Sequence, residues 1–252
     1  MSGNITRQGI TADLEAMAEA GIGGALIFNV GESHGTEVPA GPVDYLSDQW
    51  LDLFKFAATE AKRLGLTLGA NNCAGWSAMG GPWIGPEHGS QRFVSTVTKI
   101  EGDKRIITKL AQPEALLNYY RDIAVIAYPS IENEEFRVHQ WKSKSAQQGG
   151  RQKRQPDLKP CPADAAIDPT GILDLSKQVG KDGTLTWNAP KGNWTILRLG
   201  HTPMGSQNLP AGESGRGLEV DKLNPAAVDA HWKGGINPIL DRLGPLASEI
   251  FT

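Results

Sequence analysis

Apolar and polar positions follow two different periods along this chain, and the change falls near residue 95. Ile10, Leu14 and Met17 recur at i, i+4 and i+7, one apolar stripe that predicts a helix over residues 7–20. Thr6 stands where an N-cap belongs and Gly21 where a closing glycine belongs. The nearly continuous apolar run Ala25-Leu26-Ile27-Phe28-Asn29-Val30 predicts a strand buried on both faces, as in a parallel sheet. A glycine- and proline-rich loop over 31–42 separates it from a second helix, 47–64. That helix has an apolar face of Trp50, Leu51, Phe54, Ala57, Ala58 and Ala61, and Gly65 ends it. The next strand, 66–70, delivers Asn71, Asn72, Cys73, Ala74, Gly75 and Trp76 at its carboxyl end. Helix, strand, helix, strand with short connections is the βα arrangement of a parallel sheet.

Beyond residue 95 the runs become strand-like and the intervals turn-rich. Val94–Thr98 and Ile123–Tyr128 read as strands, and Thr184–Trp187 against Trp194–Leu197 reads as a hairpin around Pro190-Lys191-Gly192. The basic, Gln- and Gly-rich segment 142–159, with Arg151, Lys153 and Arg154, reads as a solvated loop more readily than as a nucleic-acid patch. Thr195–Gly200 is then expected to resume the parallel sheet, with His201 at its carboxyl end. A glycine-rich loop leads to Leu218-Glu219-Val220-Asp221-Lys222. A last helix starts with Asn224 as N-cap and Pro225 in first position, turning Val228, Trp232, Ile236, Ile239, Leu240 and Leu243 inward.

The expected fold class is α/β: a partial TIM-type (β/α) barrel interrupted by an inserted β-rich domain. Residues 1–94 form the first part, 95–191 the insertion and 192–252 the continuation. Without the insertion about 155 residues remain, against roughly 250 for an eight-fold barrel. Half a barrel leaves strand edges unpaired, so the natural protein is expected to continue beyond this chain.

Composition narrows the classes. Hydrophobic residues at 39% and charged residues at 21% suffice for a buried core. A net charge of −3 gives no electrostatic case for nucleic acid or an anionic membrane. No apolar run is long enough to span a membrane, and the polar opening Met1–Thr6 does not read as a signal peptide. Cys73 and Cys161 have no metal or redox spacing; a single disulfide and two free thiols are equally compatible. Gly75-Trp76-Ser77-Ala78 begins like a nucleophile elbow but meets Met79 where glycine is required. Gly21-Ile22-Gly23-Gly24 precedes a strand instead of following one, so it is not a dinucleotide fingerprint.

Four segments in order carry a resemblance. They are Gly3-Asn4-Ile5-Thr6 with residues 9–17 and 20–24; Asn71-Asn72-Cys73-Ala74-Gly75-Trp76 through Gly80-Gly81-Pro82-Trp83 to Glu87 and Gln91; Gly183–Trp187 with Gly192–Arg198; and Gly217–Leu223. In sequence and spacing they resemble the catalytic domain of the α-L-rhamnosidases of glycoside hydrolase family 106. The resemblance implies inverting hydrolysis of α-L-rhamnosides in plant or bacterial polysaccharides, a calcium ion near the sugar, and a bacterial periplasmic or extracellular setting. It also implies a downstream Asp-Ser-Tyr-Glu-like carboxylate motif and an upstream tryptophan-rich strand, neither of which this sequence contains. A catalytically inactive carbohydrate-binding or structural remnant is therefore the alternative.

Inverting hydrolysis needs an acid and a base carboxyl about 6.5–9.5 Å apart, and barrels place such groups at strand ends. The candidates for binding sugar are Asn71, Asn72, Trp76, Trp83, Glu87, His201, Glu219 and Asp221. Glu87 is the candidate for catalysis. Asparagine amides can donate to and accept from a hydroxyl, or else satisfy loop backbone. Trp76 and Trp83 can stack on a sugar face or belong to the core. Glu87 can bind hydroxyls or calcium, or cap a helix. Asp221 can hold ligand, or pair with Lys222 as a buried ion pair.

Overall fold

The computed structural model describes residues 3–31, 39–131, 136–145 and 160–250. Of the basic segment, residues 146–159 lie outside the described residues, as do 32–38 of the first loop. The chain folds as two compact units, one of Met1–Ser90 with Gly205–Thr252, the other of Gln91–Met204.

The first unit is α/β. Helix α1 spans Arg7–Glu19, and the Thr6 hydroxyl accepts from the Gly9 amide. Helix α2 spans Asp48–Leu64; Ser47 caps it at the Trp50 amide, and Gly65 closes it at φ 70°. Trp50, Leu51, Leu53, Phe54, Ala57, Ala58 and Ala61 of α2 are buried with Leu14 of α1 in one apolar cluster. Each large side chain there contributes about 1.5–3 kcal/mol on burial. Strands β1 (Gly24–Ile27) and β2 (Thr67–Ala70) pair in parallel, Gly24 opposite Thr67 through Ile27 opposite Ala70.

The expected barrel sheet is not seen. β1 and β2 are the only parallel pair among the described residues, and the next strand, β3 (Gly80–Gly81), joins an antiparallel pair described below. Leu26 is 56% and Phe28 44% exposed, so this stretch is not buried on both faces. Among the described residues β1 has a neighbouring strand on one edge only.

The second unit is a two-sheet β structure. Its strands are β4 (Gln91–Glu101), β5 (Lys104–Lys109), β6 (Arg121–Pro129), β7 (Leu173–Asp174), β8 (Thr184–Ala189) and β9 (Asn193–Pro203), with a short helix α3 at Trp141–Lys144. The order β4-β9-β6-β7 makes one sheet and β5-β8 the other. The alternation of β8, with Leu185, Trp187 and Ala189 buried, turns one face into a core shared with Ile106, Val125, Ala127, Trp194 and Ile196. The expected hairpin is thereby corrected. Both strands exist, but β8 pairs with β5 and β9 with β4 and β6. They meet through side chains, Trp187 edge-on to Trp194 at 5.2 Å between ring centres. Thr195–Gly200 is likewise not a barrel strand but the middle of this antiparallel sheet.

In the first unit again, β10 (Leu218–Glu219) pairs antiparallel with β3. Asn224 caps helix α4 (Pro225–His231) at the Ala226 amide. The predicted single helix is broken by a π-turn at Trp232–Ile236 before α5 (Asn237–Leu243), and α6 follows at Ala247–Ile250. The extra residue rotates the face, so Trp232 is 52% exposed and Leu240 37%, while Ile239 and Leu243 remain buried. No described helix is long and apolar enough to cross a membrane.

A buried arginine makes one carboxylate of the β unit pH-sensitive. Arg198 on β9 is 6% exposed and grips Asp122 through Nε and Nη2 at 2.7 and 2.8 Å, while Nη1 donates to the Leu110 carbonyl. The Tyr120 hydroxyl donates to the same carboxylate at 2.6 Å. The Arg198 bonds hold the Asp122 carboxyl below its ordinary value. A depressed carboxyl stabilises the folded state above the unfolded value near 3.9, and that stabilisation fades as pH falls through the folded value. Asp122→Asn is expected to cost about 1–3 kcal/mol at pH 7 in urea unfolding, between a surface and a buried pair. The gap from wild type should narrow progressively below pH 4.

Candidate functional site

The carboxyl end of β2 runs into a loop, residues 71–77, that is tied down by hydrogen bonds at several points. Asn71 Nδ2 donates to the carbonyls of Cys73, Gly75 and Ser77 at 3.0, 2.7 and 3.4 Å. The Gly75 amide donates to the Asn29 carbonyl just past β1, and the Trp76 amide to Leu209. Gly75 has φ 79°, and a Cβ there would sit 2.2 Å from the Asn208 carbonyl oxygen, so only glycine allows this approach.

Asn208 is the centre of the arrangement. It is fully buried, its Nδ2 donates to the Ala74 and Gly215 carbonyls at 2.9 Å each, and its Oδ1 accepts from the Gly217 amide at 2.8 Å. One side chain thus ties the loop after β2 to the glycine-rich loop that leads into β10. Ser77 Oγ completes the tie by donating to Glu219 Oε1 at 2.5 Å.

The candidate residues fall into three groups. Asn71, Asn72, Trp76 and Glu219 are brought together around this loop. Asn71 has its amide nitrogen committed to loop carbonyls; Asn72 is exposed, and Trp76 is 60% exposed on a rigid backbone. Trp83, Glu87 and Asp221 form a second group on the segment facing β10 and α4. Trp83 Nε1 donates to His231 Nδ1 at 3.2 Å, and its ring lies against the backbone of Gly234 and Gly235 in the π-turn. Asp221 accepts from the Leu223 amide, and its own amide donates to the His88 carbonyl. Of the two alternatives for Asp221, the buried ion pair with Lys222 is not formed: Lys222 is exposed and Asp221 turns to the backbone of the loop. Glu87 is exposed, its carboxylate 3.8 Å from His88 Nδ1. His201 belongs to the other unit, on β9, where Nδ1 meets Gln91 Oε1 at 3.0 Å beside the Tyr119 ring.

Two residues were missed from sequence. Asn208 lies in a loop with no periodicity to mark it. His231 sits on a helix that looked continuous; it is 1% exposed, accepts from Trp83, and its Nε2 lies toward the Asn72 backbone without closing an ordinary hydrogen bond. Burial lowers the His231 pKa and keeps the ring neutral, as its acceptor role requires. The Gly234-Gly235 pair one turn later was the available signal, since two adjacent glycines inside a helix mark a close packing approach.

The chemistry open to the loop is hydroxyl recognition. Cys73 is not a nucleophile here: burial, with Glu219 nearby, pushes its thiol up to about 11, and Sγ donates to the Ser77 carbonyl at 2.9 Å. Both cysteines are free, Cys73 buried and Cys161 exposed. Among the described residues no group of three or more His, Cys, Asp or Glu side chains is placed to hold a metal ion. The calcium expected from the resemblance finds no matching donor set in the described residues.

With this geometry in place, the comparisons define the class. The sequence profile of the glycoside hydrolase family 106 α-L-rhamnosidases matches residues 1–136 and 116–250. The chain belongs to that family. A curated protein of Formosa agariphila, named "Putative beta-glucuronidase", is 49% identical over 246 residues, covering 98% of this chain and 21% of that protein. The solved rhamnosidase of Novosphingobium sp. PP1Y has the same fold at a TM-score of 0.75 and 24% identity, over 97% of this chain and 36% of that one. The chain therefore spans about a fifth of the curated relative and about a third of the solved structure it matches.

Asn208→Ala would strand two carbonyls and one amide in a buried site. It is expected to cost about 3 kcal/mol or more in chemical denaturation. Trp76→Ala, at an exposed position, should change stability by no more than about 0.5 kcal/mol.

Proposed function

We propose that the protein to which this chain belongs hydrolyses terminal α-L-rhamnosides with inversion, and that this chain supplies part of the wall that holds the sugar. The observation that carries the reading is Trp76, an indole 60% exposed on a loop whose backbone is fixed on both sides. Such a ring offers a flat apolar face to a pyranose at little entropic cost. Asn72 is exposed on the same loop, its amide free for hydroxyls, and Glu219, oriented by Ser77, offers a second carboxylate oxygen. Asn71, Trp83 and Asp221 support that wall through the backbone contacts described above. Glu87, an exposed carboxylate, remains the candidate of this chain for the acid–base pair. No step is assigned to calcium. Export to the periplasm or beyond belongs to the same proposal.

A second reading, glucuronide hydrolysis, is favoured by the name of the 49% identical relative. Parallel assays of the full-length protein on aryl α-L-rhamnoside and aryl β-D-glucuronide separate the two, with proton NMR following the first anomer released. Rhamnose appearing first as its β anomer is the expected result, and glucuronate release alone would overturn it. Trp76→Ala should raise KM for the rhamnoside about tenfold with kcat little changed, the signature of lost uniform binding. Rhamnose binding by calorimetry without turnover would mark a binding protein instead of an enzyme.

A further inference from the structure

A polar cavity of about 520 Å³ opens beside Asn29, just past the carboxyl end of β1, within the range of roughly 300–1,000 Å³ usual for small-molecule sites. Asp44 and Tyr45 line one wall, and Glu213, Ser214 and Arg216 the other. None of the residues in the Trp76 group lines it. The walls are fixed to each other and to the chain's N-terminal segment. The Tyr45 amide donates to Ser214 Oγ at 3.0 Å, and Asn4 Nδ2 donates to the Pro39 carbonyl at 2.7 Å. Gly41 lies so close to Gly3 that a Cβ would sit 2.4 Å from its backbone.

The charges around this cavity are unspent. The carboxylates of Asp44 and Glu213 make no ion pair or side-chain hydrogen bond with any described residue. Arg216 places Nε and Nη2 on the Ala211 carbonyl at 3.3 and 3.2 Å, which leaves Nη1 unused and the guanidinium without a carboxylate partner. Opposite charges share one cavity without pairing, so each is available to a ligand in the space between them.

We infer that this cavity is a second saccharide subsite, separate from the Trp76 platform, that takes a neutral pyranose by its hydroxyls through Asp44, Glu213 and Arg216. Three charged groups summing to −1 disfavour an acidic ligand. A guanidinium beside only two carboxylates disfavours a divalent cation, which wants six to eight oxygens. Vicinal hydroxyls suit both kinds of group, donating to carboxylates and accepting from the guanidinium. The choice of a sugar rests on the rhamnosidase reading above; the cavity and its unpaired charges stand without it.

Amide NMR of the whole chain titrated with L-rhamnose, with sodium D-glucuronate and with calcium chloride alone tests this. L-Rhamnose should shift the amides of Asp44, Tyr45, Ser214 and Arg216 saturably. The effect should persist in Trp76→Ala and weaken about tenfold or more in Asp44→Asn/Glu213→Gln, whose positions are exposed and leave the fold intact. Glucuronate should bind more weakly. Absence of saturable shifts in the wild type, or shifts unchanged in the double variant, overturns the inference. So does their loss in Trp76→Ala, stronger binding of glucuronate, or the same shifts with calcium alone. Absence of turnover on any rhamnoside would count against the proposed activity while leaving this titration readable.

Discussion

The α/β unit depends on one buried amide. A loop that leaves a parallel strand carries backbone donors and acceptors that must be satisfied wherever water is excluded. Here the Asn208 side chain satisfies three of them at once and joins segments more than 130 residues apart in sequence. Ser77 on Glu219, and Gly75 on Asn29, extend the same network to both parallel strands and to β10. The consequence is functional as well as structural: Trp76 and Glu219 are held by backbone whose freedom has already been removed, so a ligand meeting them need not order the loop.

The β unit reaches order by a different route. Its two sheets close on a core of Leu185, Ile196 and the Trp187–Trp194 pair, and the buried charge of Arg198 is matched by Asp122, Tyr120 and the Leu110 carbonyl. Breaking that match leaves a guanidinium in low dielectric, which is why the cost of losing Asp122 exceeds that of an ordinary surface pair.

Local structure was largely legible in the sequence. The Thr6 and Asn224 caps, the Gly65 terminator and the α1 and α2 faces follow from side-chain chemistry that acts within one turn. What misled was pairing. Thr184–Trp187 and Trp194–Leu197, separated by a turn, look like a hairpin, yet both strands also carry a buried tryptophan. The structure satisfies both by placing the strands in opposing sheets. The run at Ala25–Val30 looked buried on both sides because periodicity reports apolar character and not which neighbours exist to cover it. At the candidate site the exposed Trp76 and the Glu219 end of β10 were found from glycine-rich motifs. Asn208 and the cavity charges Asp44, Glu213 and Arg216 were not, because contacts between loops distant in sequence leave no period to read.

The claim that matters most is that residues 71–77 are pinned and not merely placed. Amide hydrogen exchange read residue by residue tests it directly. The Gly75, Trp76 and Gly217 amides, donating to Asn29, Leu209 and Asn208, should exchange as slowly as those inside α2. Exchange of these three at the rate of an open loop, while α2 stays protected, would contradict it.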